Sequence, residues 1–127
     1  TRDYMLRYLD VDIALDTFPW PGGGTTCDAL YMGVPVVSYY TERHSTRFTY
    51  SLLANVGLSD LASERMEDYV ETAVALANDP GLLDALHREL RDRMKASPVM
   101  DQAHYIHEME GCYRAIWAQW EAQEEDL

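Results

Sequence analysis

The chain has 127 residues, 47% of them hydrophobic and 25% charged, and its formal net charge at pH 7 is -12. This length and composition are typical of one globular domain. The charge argues against nucleic-acid binding, since no basic stripe is present to neutralise phosphates, and no apolar run reaches the ~20 residues of a membrane span. Without a signal-peptide pattern at the start, and with only two distant cysteines, a cytoplasmic protein without disulfides is expected.

The first half of the chain predicts a strand, a short helix and a second strand. Residues 11–16 (VDIALD) are typical of a buried strand. Its core-facing side chains should be Val11, Ile13 and Leu15. The following helix is expected to be capped by Thr25 or Thr26 and to end just before Gly33. Residues 36–40 (VVSYY) predict the second strand, which should run parallel to the first because a helix connects them.

The second half predicts four helices. They begin at Ser45, near Ser63, at the capping residue Asp79 and near residue 102. The apolar positions expected to face the core are Phe48, Leu52 and Val56 in the first helix, Met66, Tyr69, Val70, Ala73, Val74 and Ala77 in the second, and Leu83, Leu86, Leu90 and Met94 in the third. Ser97 and Pro98 should separate the third helix from the fourth.

The last helix, predicted over residues 102–123, has an unusually wide apolar face. The face consists of Ile106, Met109, Tyr113, Ile116, Trp117 and Trp120. Two strands and three helices cannot easily cover it, so most of it is expected to be core and part of it an interface. Residues 121–127 (EAQEEDL) form an acidic tail that should fray.

Two strands are too few for a stable open sheet. The sequence also starts without a methionine and inside a pattern with helical spacing. We therefore expect residues 1–127 to be the C-terminal part of a larger α/β domain. An unpaired strand edge beside residues 11–16 or 36–40, together with the apolar helix face, predicts self-association of this fragment as a symmetric dimer.

The segment PGGGTTCD connects the first strand to the first helix at a place where open α/β sheets bind ligands. Gly22, Gly23 and Gly24 would let backbone N–H groups approach a ligand closely, and a helix N-terminus adds unpaired donors and partial positive charge. The hydroxyls of Thr25 and Thr26 would be further donors. This pattern suits a diphosphate. Its alternative is a simple turn, since glycine-rich turns are weakly specific.

Asp28, one turn further on, could accept hydrogen bonds from the two hydroxyls of a ribose, so the segment as a whole suits a nucleotide. Two common phosphate-binding patterns are excluded by the sequence, since neither GK[ST] nor GxGxxG is matched. Asp28 could also serve only to complement the helix dipole.

At this point the sequence resembles a known family. DIALDTFPWPGGGTTCDALYMGVPVVSY, followed by ERHSTR, SLLANVGL and ASPVMD, is similar to the C-terminal catalytic region of the O-linked N-acetylglucosamine transferase and SPINDLY family. The similarity runs from about Tyr4 to Trp120. It implies the two-lobed glycosyltransferase B fold, with this chain as part of the Rossmann-like nucleotide-sugar lobe. Members typically carry tetratricopeptide repeats before the catalytic region, and this chain contains none.

The resemblance also implies an activity. Such enzymes are inverting, metal-independent glycosyltransferases that transfer a sugar from a nucleoside diphosphate to protein Ser/Thr hydroxyls. The donor is expected to be a uridine diphosphate N-acetylglucosamine, with a guanosine diphosphate fucose as the other family donor. This chain would supply donor binding and no catalytic residue, and it should be inactive alone. A nucleotide-sugar epimerase shares the fold but fits the quoted motifs less well.

The resemblance assigns site residues by position. Gly24, Thr25 and Thr26 should lie against the donor diphosphate, Asp28 against the ribose and Tyr4 near the nucleobase. Pro21 and Gly23 depart from the residues many relatives carry, Asn and (in animal members) His. Because both changes remove donors, a non-catalytic nucleotide-binding or interaction module is the alternative.

The loop ERHSTR, at the carboxyl end of the second strand, matches a family loop that can line the donor cleft. Arg47 is the donor-binding candidate there, and the competing interpretation is that it pairs with Glu42 to order the loop. The same loop carries His44, for which a structural role is the stronger expectation. His104, His107 and Glu108 have helical spacing without a further ligand, which favours a solvated helix face over a metal site.

Overall fold

Three short parallel strands form the centre of the fold in a computed structural model that describes residues 2–125. The strands are β1 (Ala14–Leu15), β2 (Val36–Tyr39) and β3 (Ala62–Ser63), in the order β1-β2-β3. The helices are α1 (Arg2–Leu6), α2 (Gly24–Tyr31), α3 (Phe48–Asn55), α4 (Met66–Ala77), α5 (Pro80–Lys95) and α6 (Gln102–Glu125). The α/β class and the parallel pairing of β1 with β2 are confirmed.

Strand β2 is the central strand of the sheet. Val36, Val37 and Ser38 are buried, and the register pairs Ala14 with Val36 on one side and Ser38 with Ala62 on the other. A strand enclosed on both edges is typically apolar along most of its length, and residues 36–40 are apolar apart from Ser38. The expectation of an unpaired edge beside residues 36–40 is therefore wrong, and the outer strands are β1 and β3.

Strand β1 is shorter and more exposed than its sequence indicates. Only Ala14 and Leu15 form a strand, and Leu15 is 59% exposed while Val11 is also exposed. Ile13 and Ala14 pack against the core instead. The expected inner face is confirmed at Ile13 and wrong at Val11 and Leu15, because alternation requires a longer regular strand than two residues. The third strand, β3, was not predicted at all.

Helix α5 is the element that the sequence predicts best. The Asp79 carboxylate accepts a hydrogen bond from the Leu82 N–H at 2.9 Å, and Pro80 is the first helical residue. Its inner face, Leu86, Leu90 and Met94, is buried as expected. The Asp79 cap satisfies one otherwise unpaired N–H group, which is why a helix with this sequence begins here.

In helices α3 and α4 the core-facing stripe is predicted only in part, with Val56, Tyr69 and Ala73 facing the core as expected. Thr49, Leu53 and Val56 are buried in and after α3, whereas Phe48 is exposed. In α4, Leu76 is buried with Tyr69 and Ala73 packed beside it, whereas Met66, Val70 and Val74 are exposed. Both correct stripes have the i, i+4, i+7 spacing of a single helix face.

The apolar face of helix α6 is exposed to solvent. Tyr113, Ile116, Trp117 and Trp120 are all exposed, so the expectation that most of this face is core is wrong. The helix continues to Glu125, into the segment 121–127 that was expected to fray, and residues 126 and 127 lie outside the described part. Among residues 2–125 no helix has the length and apolarity needed to cross a bilayer.

Candidate functional site

The glycine segment leaves the carboxyl end of β1 and leads directly into α2. Beside it lies a cleft of about 190 Å³, which we call the glycine-loop cleft. Its walls are formed by Tyr8, Ala14, Leu15, Asp16, Thr17, Gly22, Thr25, Thr26, Ala29 and Val36. The cleft thus occupies the position beyond a strand's carboxyl end at which open α/β sheets bind ligands.

Gly22 is held at both of its backbone groups. Its N–H donates to Oδ1 of Asp16 at 2.8 Å, and its carbonyl oxygen accepts from the Thr49 hydroxyl at 3.1 Å. The second carboxylate oxygen of Asp16 accepts from the Ser38 hydroxyl at 2.6 Å. These bonds join the glycine loop to the end of β1, to β2 and to α3, and they hold Gly22 at both of its backbone groups.

The hydroxyl of Thr26 is part of the same network and cannot serve as a donor to a ligand. Thr49 has a single hydroxyl proton, which it gives to the Gly22 carbonyl, because a carbonyl can only accept. In the 3.0 Å contact between the two hydroxyls, Thr26 must therefore be the donor. Thr26 is also buried, at 3% exposure. The Thr26 hydroxyl is thus occupied inside the protein and its N–H is the group left free, while contact of Thr26 with a diphosphate stays a prediction.

The backbone at the start of α2 presents free donors. The first helical hydrogen bond of α2 is donated by the Cys27 N–H to the Gly23 carbonyl at 3.1 Å. Within residues 2–125, the N–H groups of Gly24, Thr25 and Thr26 have no acceptor. Together with the helix dipole they form a local positive end in a strongly acidic chain.

The helix start also differs in detail from the sequence-based expectation. Gly23 precedes α2, and neither Thr25 nor Thr26 caps it with a side chain. The Thr25 side chain is exposed, so its hydroxyl is the one that stays available to a ligand. Asp28 lies one turn further along, beyond the first turn of the helix.

The three glycines of the loop have different surroundings. A Cβ on Gly22 would lie 2.4 Å from Oγ1 of Thr26 and 2.7 Å from Oγ1 of Thr25, which leaves no room for a side chain. A Cβ on Gly23 or Gly24 would meet no atom within 4 Å. Gly22 is therefore needed for packing inside the protein, whereas the space beside Gly23 and Gly24 is open to a ligand.

Tyr8 is the aromatic residue of the cleft wall, and Tyr4 and Asp28 lie near its phenol. Tyr8 donates weakly to the Thr25 carbonyl at 3.4 Å, and its hydroxyl lies 2.8 Å from that of Tyr4. Burial, the hydrogen bond to Tyr4 and the nearby Asp28 carboxylate raise the pKa of Tyr8 to about 12, so the phenol stays protonated. Tyr4 reaches the cleft only through Tyr8. None of the ion pairs among residues 2–125 involves Asp28.

Arg47 lies away from the glycine-loop cleft. Its guanidinium donates to the Thr41 carbonyl at 3.1 Å and lies 4.9 Å from the ring centre of Tyr40 and 5.1 Å from that of Tyr50. These two rings are stacked at 4.2 Å. The Glu42–Arg47 pair is not among the ion pairs of the described residues, so that expectation is wrong. Arg47 orders the loop through a carbonyl and two aromatic rings.

The other candidates do not join the cleft. The rings of His44 and Phe48 form an edge-to-face pair with their centroids 5.4 Å apart, which is a structural contact. No group of three His, Cys, Asp or Glu side chains within residues 2–125 could hold a metal ion, and His104 and His107 lie on the exposed surface of α6.

Three residues that shape the site were missed at the sequence level: Asp16, Ser38 and Thr49. Asp16 ends an apolar strand and precedes a glycine loop, a position from which a carboxylate can accept N–H groups of the turn. That signal was present in the sequence. The contacts of Ser38 and Thr49 depend on how β2 and α3 pack against the loop, and no local pattern indicates them.

Comparison with known proteins places the chain in a family. Residues 3–109 match the family model described as Glycosyl transferase family 41. The chain belongs to this family. The resemblance noted from the glycine segment and the loop after β2 is therefore confirmed.

Curated relatives in family 41 cover most of this chain. The probable UDP-N-acetylglucosamine–peptide N-acetylglucosaminyltransferase SPINDLY of Solanum lycopersicum is 42% identical over 116 residues, which are 91% of this chain and 12% of the relative. The UDP-N-acetylglucosamine–peptide N-acetylglucosaminyltransferase of Caenorhabditis elegans is 29% identical over 95% of this chain and 10% of its own length. The chain thus spans about an eighth of the length of such family 41 proteins.

A solved family structure has the same fold. A mutant of the Thermobaculum terrenum O-GlcNAc transferase superposes with a TM-score of 0.85 at 38% sequence identity. The match covers 92% of this chain and 22% of that one. The predicted fold, part of a catalytic region of this family with a small parallel sheet and several helices, is confirmed.

Proposed function

We propose that this chain is the donor-binding part of a glycosyltransferase that moves a sugar from a nucleoside diphosphate to a protein hydroxyl. The observation that carries the proposal is the start of α2, where the N–H groups of Gly24, Thr25 and Thr26 have no acceptor among residues 2–125 and lie beside an open cleft. Membership of family 41 supports the reaction class. The names of the relatives, which specify UDP-N-acetylglucosamine and peptide, support the donor and the acceptor.

In the proposed mechanism the chain binds the donor and stabilises its leaving group. The sugar leaves behind a nucleoside diphosphate, on which negative charge develops as the bond breaks. Fixed N–H groups at Gly24 and Thr25 and the positive end of α2 stabilise that charge without having to reorganise. Asp28 accepts from the ribose hydroxyls. The general base and the acceptor site belong to parts of the enzyme outside this chain, and metal independence remains a prediction.

The alternative function is nucleotide binding without catalysis. Pro21 favours it, since it has no N–H and removes one donor from the loop. The N–H groups at residues 24–26 lie beyond Pro21 and are unaffected by it, so they suit nucleotide binding in either function, and membership of family 41 is what favours the enzyme.

A transfer assay on the full-length protein separates the two. We expect labelled N-acetylglucosamine to pass from UDP-N-acetylglucosamine to Ser/Thr-containing acceptor peptides, with GDP-fucose tested in parallel as the other family donor. Donor binding without transfer to any acceptor would support the non-catalytic module, and the absence of both would contradict the proposal.

A further inference from the structure

We infer that Thr49, on α3, is a positioning residue for the proposed donor site: it holds the glycine loop in its ligand-ready conformation without touching the ligand. The inference rests on the proposed function. Thr49 is completely buried, so it acts only through its neighbours. It lies 23 residues beyond Thr26 along the chain, and no feature of the glycine segment itself indicates it.

Thr49 holds two residues of the glycine loop, Gly22 and Thr26. Its hydroxyl donates to the Gly22 carbonyl at 3.1 Å and accepts from the Thr26 hydroxyl at 3.0 Å. Gly22 directly precedes the loop's open part, and Thr26 is in the first turn of α2. The Thr49 side chain therefore links Gly22, which precedes the free N–H groups, to Thr26, which carries the last of them.

Gly22 is also held from its N–H side. The Gly22 N–H is held by Asp16, which Ser38 also binds. With Thr49 on the carbonyl, the orientation of Gly22 is fixed from both directions. Because Gly22 lacks a Cβ, its own conformational preferences are weak, and external hydrogen bonds must select one conformation. Free N–H groups stabilise developing charge only if they are already aimed when the ligand arrives.

Thr49 is itself positioned by the start of helix α3. Helix α3 starts at Phe48, directly after Arg47, whose guanidinium binds the Thr41 carbonyl and packs on Tyr40 and Tyr50. The start of α3 is therefore anchored to the loop after β2. This gives Arg47 an indirect role in the site, through the backbone that leads to Thr49, in place of the direct ligand contact expected from the sequence.

The test measures UDP binding by calorimetry in the full-length protein. Thr49→Val keeps the side-chain volume but replaces the hydroxyl with a methyl group. We expect this variant to bind UDP about tenfold more weakly than the wild type. Thr49→Ser keeps the hydroxyl and should retain most of the affinity. Ser97→Ala is the matched control, since it removes another buried hydroxyl that donates to a backbone carbonyl, that of Met94, at the far end of α5.

A structural effect alone would lower the melting temperature without this pattern of affinities. Amide exchange of the unliganded protein gives a second readout: residues 22–26 should exchange faster in Thr49→Val than in Ser97→Ala. Should Thr49→Val fail to fold, Thr49→Ala removes the same hydroxyl without adding a methyl group beside Gly22 and carries the same expectation.

The outcomes are distinguishable. If the wild type binds UDP and Thr49→Val binds it equally well, the positioning role is wrong while the proposed function stands. If Thr49→Ser loses as much affinity as Thr49→Val, the hydroxyl is not the cause and the inference is also overturned. If the wild type binds neither UDP nor GDP, the proposed donor site itself is wrong, and the positioning role fails with it.

Discussion

Neighbouring residues of the glycine segment have separate roles, although the sequence presents them as one run. Gly22 is enclosed by Thr25 and Thr26 and is fixed at both backbone groups, whereas Gly23 and Gly24 border open space. The two threonines differ in the same way, because the hydroxyl proton of Thr26 is used inside the protein and the side chain of Thr25 is exposed. The sequence predicts the site, but the division of roles follows from contacts with α3 and β1.

Asp28 provides the sharpest test at this scale. We expect Asp28→Ala to weaken UDP binding by about 1.5–3 kcal/mol, the usual range for a hydrogen bond to a charged group. Simple electrostatics predicts the opposite, since removing a negative charge from an acidic chain favours an anionic ligand.

Calorimetry with Asp92→Ala as control separates these effects, because Asp92 is an exposed carboxylate on α5 and its removal reports the general charge effect alone. Equal or tighter binding by Asp28→Ala would remove this carboxylate from the ribose site.

At the scale of elements, prediction succeeded where local chemistry decides the structure. The Asp79 cap, Pro80 at the first position and the stripe of α5 are all encoded within a few residues. In α3 the predicted stripe of Phe48, Leu52 and Val56 differs from the buried one of Thr49, Leu53 and Val56, because apolar periodicity does not detect an inward-facing threonine. Burial of its hydroxyl depends on partners 23 and 27 residues away, Thr26 and Gly22, which local periodicity cannot show.

Strand length sets the other limit on what the sequence predicts. Strand β3 has two residues, Ala62 and Ser63, whose pairing with β2 leaves no alternation to detect. Strand β1 is equally short: Ile13 just before it packs against the core and Leu15 within it is exposed, and two residues are too few to show this by alternation.

The cap of α5 gives a prediction for an element. Asp79→Ala should lower the free energy of unfolding by about 1 kcal/mol, because the Leu82 N–H loses its acceptor at the helix start. Asp84→Ala on the same helix removes the same charge from an exposed pair with Arg88 and should cost at most about 0.5 kcal/mol.

Urea denaturation of both variants measures the difference between them. Equal destabilisation would show that Asp79 stabilises α5 by its charge alone and that its hydrogen bond adds nothing.

At the scale of the whole molecule, the sheet and the glycine-loop cleft are close together and the apolar face of α6 is separate from them. The core is formed around β2 by α2, α3, α4 and α5, whereas Ile116, Trp117 and Trp120 remain exposed. The expected self-association of this chain through such a face remains a prediction. The fold therefore supports the proposed function through one end of the sheet, where β1, α2 and α3 meet.

The central claim is that the free N–H groups at the start of α2 bind the diphosphate of the donor. Hydrogen exchange of the full-length protein, followed on the peptide covering residues 20–27, tests it directly. Saturating UDP should slow exchange at residues 24–26, whereas uridine, which lacks the phosphates, should leave it unchanged at the same concentration. Unaltered exchange at residues 24–26 while UDP is shown by calorimetry to be bound would place the diphosphate elsewhere and contradict the account.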